Sequence, residues 1–248
     1  MYPDLPADEA TQRLSQQLAH ICRLDNGDPV AAWQTRFERL SQVAAGLTER
    51  RFDAIRFTGE GTDLTVGLLA SSRWLAASFS TATGVVHHPN LPSEEVFTVP
   101  DPDRVDGVVR STKPLDIEGT LVEGLTVSFR DGRAVSIDAD RGVDILRSRA
   151  ARDDGASRLG ELALVDGEGR IGPLDTVFYS TLLDENAASH IALGGAYTFA
   201  AEDQADRRRA NESSIHIDFM IGSPEIQVDG ITAAGEQVPL LREGAWQI

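Results

Sequence analysis

The sequence predicts an α+β fold in which leading helices pack on a mixed, largely antiparallel sheet. Up to about residue 51, apolar residues recur at helical spacing, whereas the later chain consists mainly of short segments with strand character. Several of these segments follow one another without an intervening helix, which argues against a doubly wound parallel sheet. We therefore expect a helical lead segment at residues 1–51 and one compact unit at residues 52–248.

The lead segment is expected to form two helices. Leu14, Leu18 and Ile21 fall on one helical face and predict a helix from residue 7 to about 23. A second helix is predicted from Pro29 to about residue 51, because proline suits the first helical turn and an apolar stripe follows it. The simplest interpretation of this stripe is core packing.

The remaining chain is expected to be mostly strands. Asp131-Gly132 predicts a hairpin, because a tight turn at this point needs positive φ angles. Further helices are expected at residues 144–152 and 186–200, and a charged connection at 202–209. The predicted strands are 53–58, 64–69, 108–111, 125–130, 133–138, 159–165 and 214–221, with others near 226–228 and 237–241.

Composition excludes several classes of partner. The formal net charge is −16, so the surface repels phosphate backbones and anionic lipids, and neither nucleic acid nor membrane is expected as a partner. No apolar run approaches the length of a membrane span, and the N-terminus lacks a signal-peptide pattern. Cys22 is the only cysteine, so no internal disulfide can form. A cytoplasmic protein is expected.

The sharpest local pattern is His216-Ile217-Asp218. On a strand, His216 and Asp218 point to the same face while Ile217 points to the other. Imidazole and carboxylate ligands without cysteine suit a catalytic zinc or cobalt site better than a structural one. The alternative is a buried, hydrogen-bonded histidine beside a surface aspartate.

Other acids and aromatic groups extend this pattern. Glu161 lies in an apolar strand, where burial is costly without a cation or partner, unless the strand is an edge and Glu161 faces water. His190 and Tyr197 are seven residues apart and would share one face of the predicted helix. Tyr197 could stabilise an oxyanion there, or the pair could simply pack against the sheet.

Glu94 and Glu95 are adjacent, so only one of them can face a common site from a strand. The alternative is a helix N-terminus, where acidic side chains are favoured by the helix dipole.

Taken together, these segments resemble the aminopeptidase T family of metalloaminopeptidases. The resemblance runs in order from about Phe52 to Trp246. Its motifs are GTDLTVGL (61–68), NLPSEEVFT (90–98), STKPL (111–115), LGELALV (159–165), FYSTLLDENA (178–187), HIALG (190–194) and HIDFMIGS (216–223).

The resemblance implies a two-metal aminopeptidase that removes N-terminal residues from peptides. It implies two divalent ions (zinc, cobalt or magnesium), a glutamate acting as general base and Tyr197 as the active-site tyrosine, and it leaves room for a homodimer. Of the Glu94-Glu95 pair, Glu95 is the favoured ligand, and either carboxylate could be the base. The implied metal ligands are Glu95, Glu161, His190, His216 and Asp218.

Members of that family usually carry a further N-terminal domain ahead of the two helices. This difference motivates a second hypothesis, a truncated and non-catalytic module that binds metal or a partner. A third hypothesis is a metallohydrolase that acts on another amide or on an ester.

Overall fold

Five helices and sixteen strands make up the computed structural model, which describes all 248 residues. The helices are α1 Ala7–Ile21, α2 Pro29–Arg50, α3 Val143–Ala150, α4 Thr181–Asp184 and α5 Gln204–Arg209. The strands are β1 Ala54–Gly59, β2 Thr62–Leu68, β3 Phe79–Ser80, β4 Val86–His87, β5 Glu95–Thr98, β6 Pro100–Arg110, β7 Leu115–Ile117, β8 Thr120–Val122, β9 Thr126–Arg130, β10 Arg133–Asp138, β11 Leu159–Val165, β12 His190–Gly194, β13 His216–Met220, β14 Gln227–Ile231, β15 Gln237–Arg242 and β16 Ala245–Trp246. None of the helices combines the length and apolarity needed to cross a bilayer.

The strands form two main sheets, and every strand pair is antiparallel. The larger sheet has eight strands in the order β10-β9-β6-β2-β1-β14-β15-β16. The smaller has four strands in the order β13-β12-β11-β5, and two short hairpins, β3-β4 and β7-β8, complete the fold. The predicted α+β fold with a largely antiparallel sheet is confirmed.

One hydrophobic core joins α2 to both main sheets. Leu40, Val43 and Leu47 supply the helical stripe that the sequence predicted, and each is buried. Asp28 caps the helix by accepting a hydrogen bond from the amide of Ala31, which satisfies one of the free donors at the N-terminus. Apolar burial of this stripe holds the long helix against the sheets.

The local predictions are met in part. The hairpin at Asp131-Gly132 forms between β9 and β10, with φ angles of 49° and 79° at these two residues. The strand expected at 108–111 is the end of the longer β6, and the charged connection at 202–209 contains the short helix α5. The main error is the helix expected at 186–200, which is the strand β12 with short turns on either side.

A buried ion network ties α2 to the sheets. Arg36 donates to a carboxylate oxygen of Glu94 at 2.5 Å and makes two hydrogen bonds to Asp166, at 2.8 and 3.1 Å. Arg23 binds the other oxygen of Glu94 at 2.7 Å, and the indole of Trp246 donates to Asp166 at 2.6 Å. Both carboxylates are fully enclosed, so their charges depend on these donors for compensation.

We expect Arg36→Met to destabilise the protein strongly. Removing the guanidinium leaves Glu94 and Asp166 in the interior without their shared cation, which should lower the free energy of unfolding by about 3 kcal/mol or more. Urea denaturation followed by circular dichroism measures this change.

The matched control is Arg56→Met, which removes an arginine whose pair with Asp63 lies at the surface. A solvated pair of this kind contributes at most about 1 kcal/mol. Equal effects of the two substitutions would show that the buried network stabilises the protein no more than a surface ion pair does.

Candidate active site

One face of the four-stranded sheet collects the acidic and imidazole side chains that the sequence singled out. In the antiparallel register, Glu161 of β11 pairs with Ala192 of β12, which in turn pairs with Asp218 of β13. Paired residues point to the same side of a sheet, and so do residues two positions apart on one strand. The register therefore aligns five side chains on one face: Glu95, Glu161, His190, His216 and Asp218.

Small residues leave room between these groups. Ala192 separates Glu161 from Asp218, and Ala163 stands beside His190 on the neighbouring strand. Because an alanine side chain ends at Cβ, the longer acids and imidazoles can converge above it. The sheet face therefore forms the base of the site, and the polar side chains project from it.

Gly160 allows Glu161 to reach this face. The pairing of β11 with β12 is irregular between Leu159 and Glu161, where the chain bulges. A Cβ on Gly160 would lie only 2.3 and 2.4 Å from the carbonyl oxygens of Gly194 and Gly195, so glycine is required at this close approach.

The side chains form two groups that share Glu161. One group is Glu95, Glu161 and His190, and the other is Glu161, His216 and Asp218; within each, one oxygen or nitrogen per residue lies within 4.8 Å of the others. His190 Nε2 is 3.0 Å from Glu95, and His216 Nε2 is 3.2 Å from Glu161 and 3.3 Å from Asp218. Such spacing places the carboxylate shared by both groups at the centre.

The backbone orients both imidazoles toward these acids. His190 Nδ1 is 3.1 Å from the carbonyl oxygen of Ala188, and His216 Nδ1 is 2.8 Å from that of Gly195. When Nδ1 donates to a carbonyl, Nε2 is left with a lone pair for a metal, an arrangement typical of metal-binding histidines.

The donor set fits divalent cations. The buried oxygen Oε2 of Glu95 lies 3.0 Å from His190 Nε2 and has no other partner, so both atoms face the position that a cation would take. Three carboxylates and two imidazoles without sulfur are the ligands that zinc, cobalt and similar ions accept. Positive charge between the acids would also relieve their mutual repulsion.

The closeness of these acids and imidazoles also shifts their pKa values when no metal is bound. Burial favours the neutral form of His190, but Glu95 and the other acids outweigh it and raise its pKa to about 10. His216 behaves likewise: burial is outweighed by Asp218 and Glu161, and its pKa rises to about 11. Burial, together with the charges of Glu95 and Asp218, raises the pKa of Glu161.

His190 reaches the site from a strand and not from the predicted helix. The segment 190–194 is buried throughout, so it shows no polar alternation, and a short apolar run of this kind does not distinguish strand from helix. Its end at Gly194, with φ of 112°, is incompatible with a helix that continues toward Ala200. The site consequently lies on a face of the four-stranded sheet, and no helix contributes His190 to it.

Tyr197 approaches from the turn after β12, so the helical spacing from His190 is not what brings it here. Its ring lies 5.2 Å from the ring of His216, centroid to centroid. Burial and the nearby acids, Glu161 foremost among them, raise the pKa of Tyr197 to about 12. The phenol therefore keeps its proton and remains a hydrogen-bond donor near neutral pH.

Glu94 does not belong to the site, contrary to the expectation that either member of the pair could act there. Its carboxylate points into the protein, where Arg36 and Arg23 bind it. Only Glu95 faces the histidines, as the period of a strand requires for adjacent residues. The guanidinium groups leave Glu94 no role as a base.

Glu185 was missed as a site residue, although it lines the same cavity as the ligand groups. It lies on the 3-10 turn Glu185–Ala187, where no periodic pattern marks the direction of a side chain. Burial and the negative charges of Asp218, Glu95 and Glu161, opposed in part by His190, raise the pKa of Glu185 to about 8. The sequence signals for it were its acidic neighbour Asp184 and its place in the motif FYSTLLDENA.

The cavity above the sheet measures about 250 Å³. Acids and imidazoles line it together with four aromatic rings: Phe79, Phe97, Tyr197 and Phe199. Phe97 pairs with Ala163 of β11, so it projects from the same sheet face as the ligand groups. The cavity thus combines cation-attracting groups with apolar ones, in a volume below the roughly 300–1,000 Å³ of pockets for drug-sized ligands.

Known proteins share both the sequence and the fold. The chain is 47% identical to aminopeptidase T of Thermus aquaticus and 39% identical to aminopeptidase 2 of Geobacillus stearothermophilus, in alignments that cover 100% and 99% of the chain. It spans 62% and 61% of the length of these relatives.

Among solved structures, wild-type AmpT from Thermus thermophilus superposes with a TM-score of 0.93 at 45% identity, over 99% of this chain and 61% of that one. A 2,5-dihydroxypyridine dioxygenase from Pseudomonas putida reaches a TM-score of 0.53 at 12% identity, over 81% of this chain and 59% of the other, which shows a likeness of fold alone.

The model of the thermophilic metalloprotease (M29) family matches residues 1–246. The chain therefore belongs to this family.

Proposed function

We propose that this chain carries the catalytic site of a metal-dependent aminopeptidase that hydrolyses N-terminal residues from peptides. The observation that carries the proposal is the convergence of two ligand groups on the shared carboxylate of Glu161. Membership of a metalloprotease family and similarity to proteins named aminopeptidases support it.

Two divalent cations would be held by this cluster, one by each group, with Glu161 as the shared ligand. Zinc, cobalt and magnesium are the candidates, and the imidazoles favour the first two. Bound ions supply Lewis acidity, which polarises the scissile carbonyl and lowers the pKa of water.

Glu185 is the proposed general base in place of Glu94. It lines the cavity, where burial and the surrounding acids raise its pKa to about 8. Cations held by those acids would lower this pKa, so that the carboxylate could accept the proton of the attacking water and pass it to the leaving amine.

Tyr197 would donate its phenolic hydrogen to the developing oxyanion, since its proton is retained near neutral pH. The acids would also attract the α-ammonium group of a peptide. Recognition of that group confines the reaction to the first residue of the chain.

The alternative of a truncated, non-catalytic binding module is less favoured. A surface that only binds a partner has no need for a half-buried carboxyl group and a phenol beside a ligand cluster. Hydrolysis of another amide or of an ester uses the same groups, and it differs only in what the cavity accepts.

The domain organisation, location and assembly of the protein are also proposals. We infer a lead segment at residues 1–51, which supplies Arg36 to the sheets, and a catalytic unit at residues 52–248. We also propose a cytoplasmic protein that acts on peptides, with a homodimer as its assembly. The charge of −16 disfavours nucleic acid and anionic membranes as partners.

With zinc or cobalt added, the protein should release nitroaniline from aminoacyl-nitroanilides but leave N-acetylated substrates intact. Glu161→Gln removes the shared charge and should lower both metal content and kcat/KM by more than about 100-fold. Absorbance assays and metal analysis measure the two effects.

Glu236→Gln is the control, because it neutralises an exposed acid outside the cavity lining. The peptidase proposal fails if the metal-loaded protein turns over these substrates no faster than Glu161→Gln does. Cleavage of acetylated peptides would favour a different amidase.

Glu185→Gln should separate catalysis from metal binding. Loss of a general base lowers kcat by about 10²–10⁴-fold, whereas the ligand groups stay in place. Steady-state kinetics and metal content, compared with the wild-type protein, measure this. An unchanged kcat would show that Glu185 is not the base.

Zinc affinity should rise with pH between about 6 and 8. The raised pKa values mean that His190 and His216 hold protons that a cation must displace, so binding is weaker where protons are abundant. Calorimetry in buffers of different ionisation enthalpy counts the released protons. An affinity independent of pH would contradict this, and the exposed pair of His20 with Asp25 offers His20→Ala as a control.

A further inference from the structure

The aromatic residues that line the cavity come from three separate parts of the chain. Phe79 comes from the β3-β4 hairpin, Phe97 from β5, and Tyr197 and Phe199 from the turn after β12. We call Phe79, Phe97 and Phe199 the aromatic wall. Tyr197 joins the wall to the ligand cluster, because its ring contacts those of Phe97, Phe199 and His216.

The rings of the wall meet edge to face. Phe199 stands perpendicular to Phe79 at 5.9 Å and to Phe97 at 6.5 Å, with interplanar angles of 88° in both cases. Phe79 and Phe97 lie 6.5 Å apart and are tilted by 30°. Aromatic rings attract one another in this arrangement beyond the contribution of buried area, so a further ring is a favourable guest.

Exposure shows that the wall is available for a ligand. Phe199 is 43% exposed, and contact between so large an apolar side chain and water is unfavourable. Phe97 is buried behind it, and Phe79 is half-buried. The outer ring therefore stays in partial contact with water until another apolar group covers it.

The position of the wall indicates which part of a peptide would cover it. In an amino acid the α-ammonium group and the side chain branch from one carbon, so both must fit close together. The acids and the wall line one cavity of about 250 Å³, and Tyr197 contacts both Phe199 and His216. The cavity has room for the first residue of a peptide, so the residues after the scissile bond must lie outside it.

We propose that the aromatic wall binds the side chain of the N-terminal residue and selects aromatic residues over small ones. The inference rests on the proposed aminopeptidase function and adds the substrate class. Phe199 is the specificity-determining residue that can be varied, because Phe97 is in the core and Tyr197 is assigned to the oxyanion.

The test uses amino-acid amides, whose leaving group is ammonia, so that the only aromatic ring is that of the first residue. The zinc-loaded protein should prefer L-phenylalaninamide to L-alaninamide by at least about 10-fold in kcat/KM. Phe199→Ala should reduce kcat/KM for phenylalaninamide by about 10-fold and leave that for alaninamide within about twofold. Phe199→Leu, which keeps apolar bulk, should retain leucinamide hydrolysis while losing part of the phenylalaninamide rate.

Tyr179→Ala is the matched control, since Tyr179 is an exposed aromatic residue outside the cavity lining. The proposal is overturned if Phe199→Ala slows both amides equally, or if the wild-type protein does not distinguish them. Absence of turnover with metal bound would instead refute the peptidase function. Calorimetry would then decide on the wall: tighter binding of phenylalaninamide than alaninamide, lost in Phe199→Ala, supports it, and equal binding overturns it.

Discussion

The pairing register of the four-stranded sheet is the constraint on which the site depends. A shift of one residue between β11 and β12 would turn either Glu161 or His190 to the opposite face. That opposite face is apolar and packs into the main core, as Leu162 and Ile191 show. The hydrophobic effect thus fixes the register, and the register places the polar groups.

This arrangement forces like charges together in a buried place. The fold accepts the cost because each strand contributes other residues to the core, and because protons or cations neutralise the acids. Glu94 and Glu95 show two different ways in which a buried acid is neutralised. Glu94 is paired with arginines, which stay charged, whereas Glu95 faces His190, whose proton a cation can displace.

Much of this could be predicted from the sequence, because the informative signals are local. The alternation in His216-Ile217-Asp218 indicated a strand with two groups on one face, and the structure has that strand. The acid in the apolar segment 159–165 indicated a group that burial would penalise, and Glu161 is buried. The α+β class followed from the order of helical and strand patterns.

The rest depends on contacts that no local pattern encodes. His190 lies on a strand buried on both faces, which removes the alternation by which strands are recognised. Glu185 lies on an irregular turn. Glu94 is held away from the ligand cluster by Arg36, which lies 58 residues earlier in the chain. Short irregular segments and distant ion pairs are settled by tertiary packing alone.

The burial of β11 has a consequence for the whole molecule. All seven of its residues are enclosed, so the groups projecting from it cannot separate without opening the interior. Any positive charge that neutralises these acids, whether from protons or from cations, therefore stabilises the folded state as a whole.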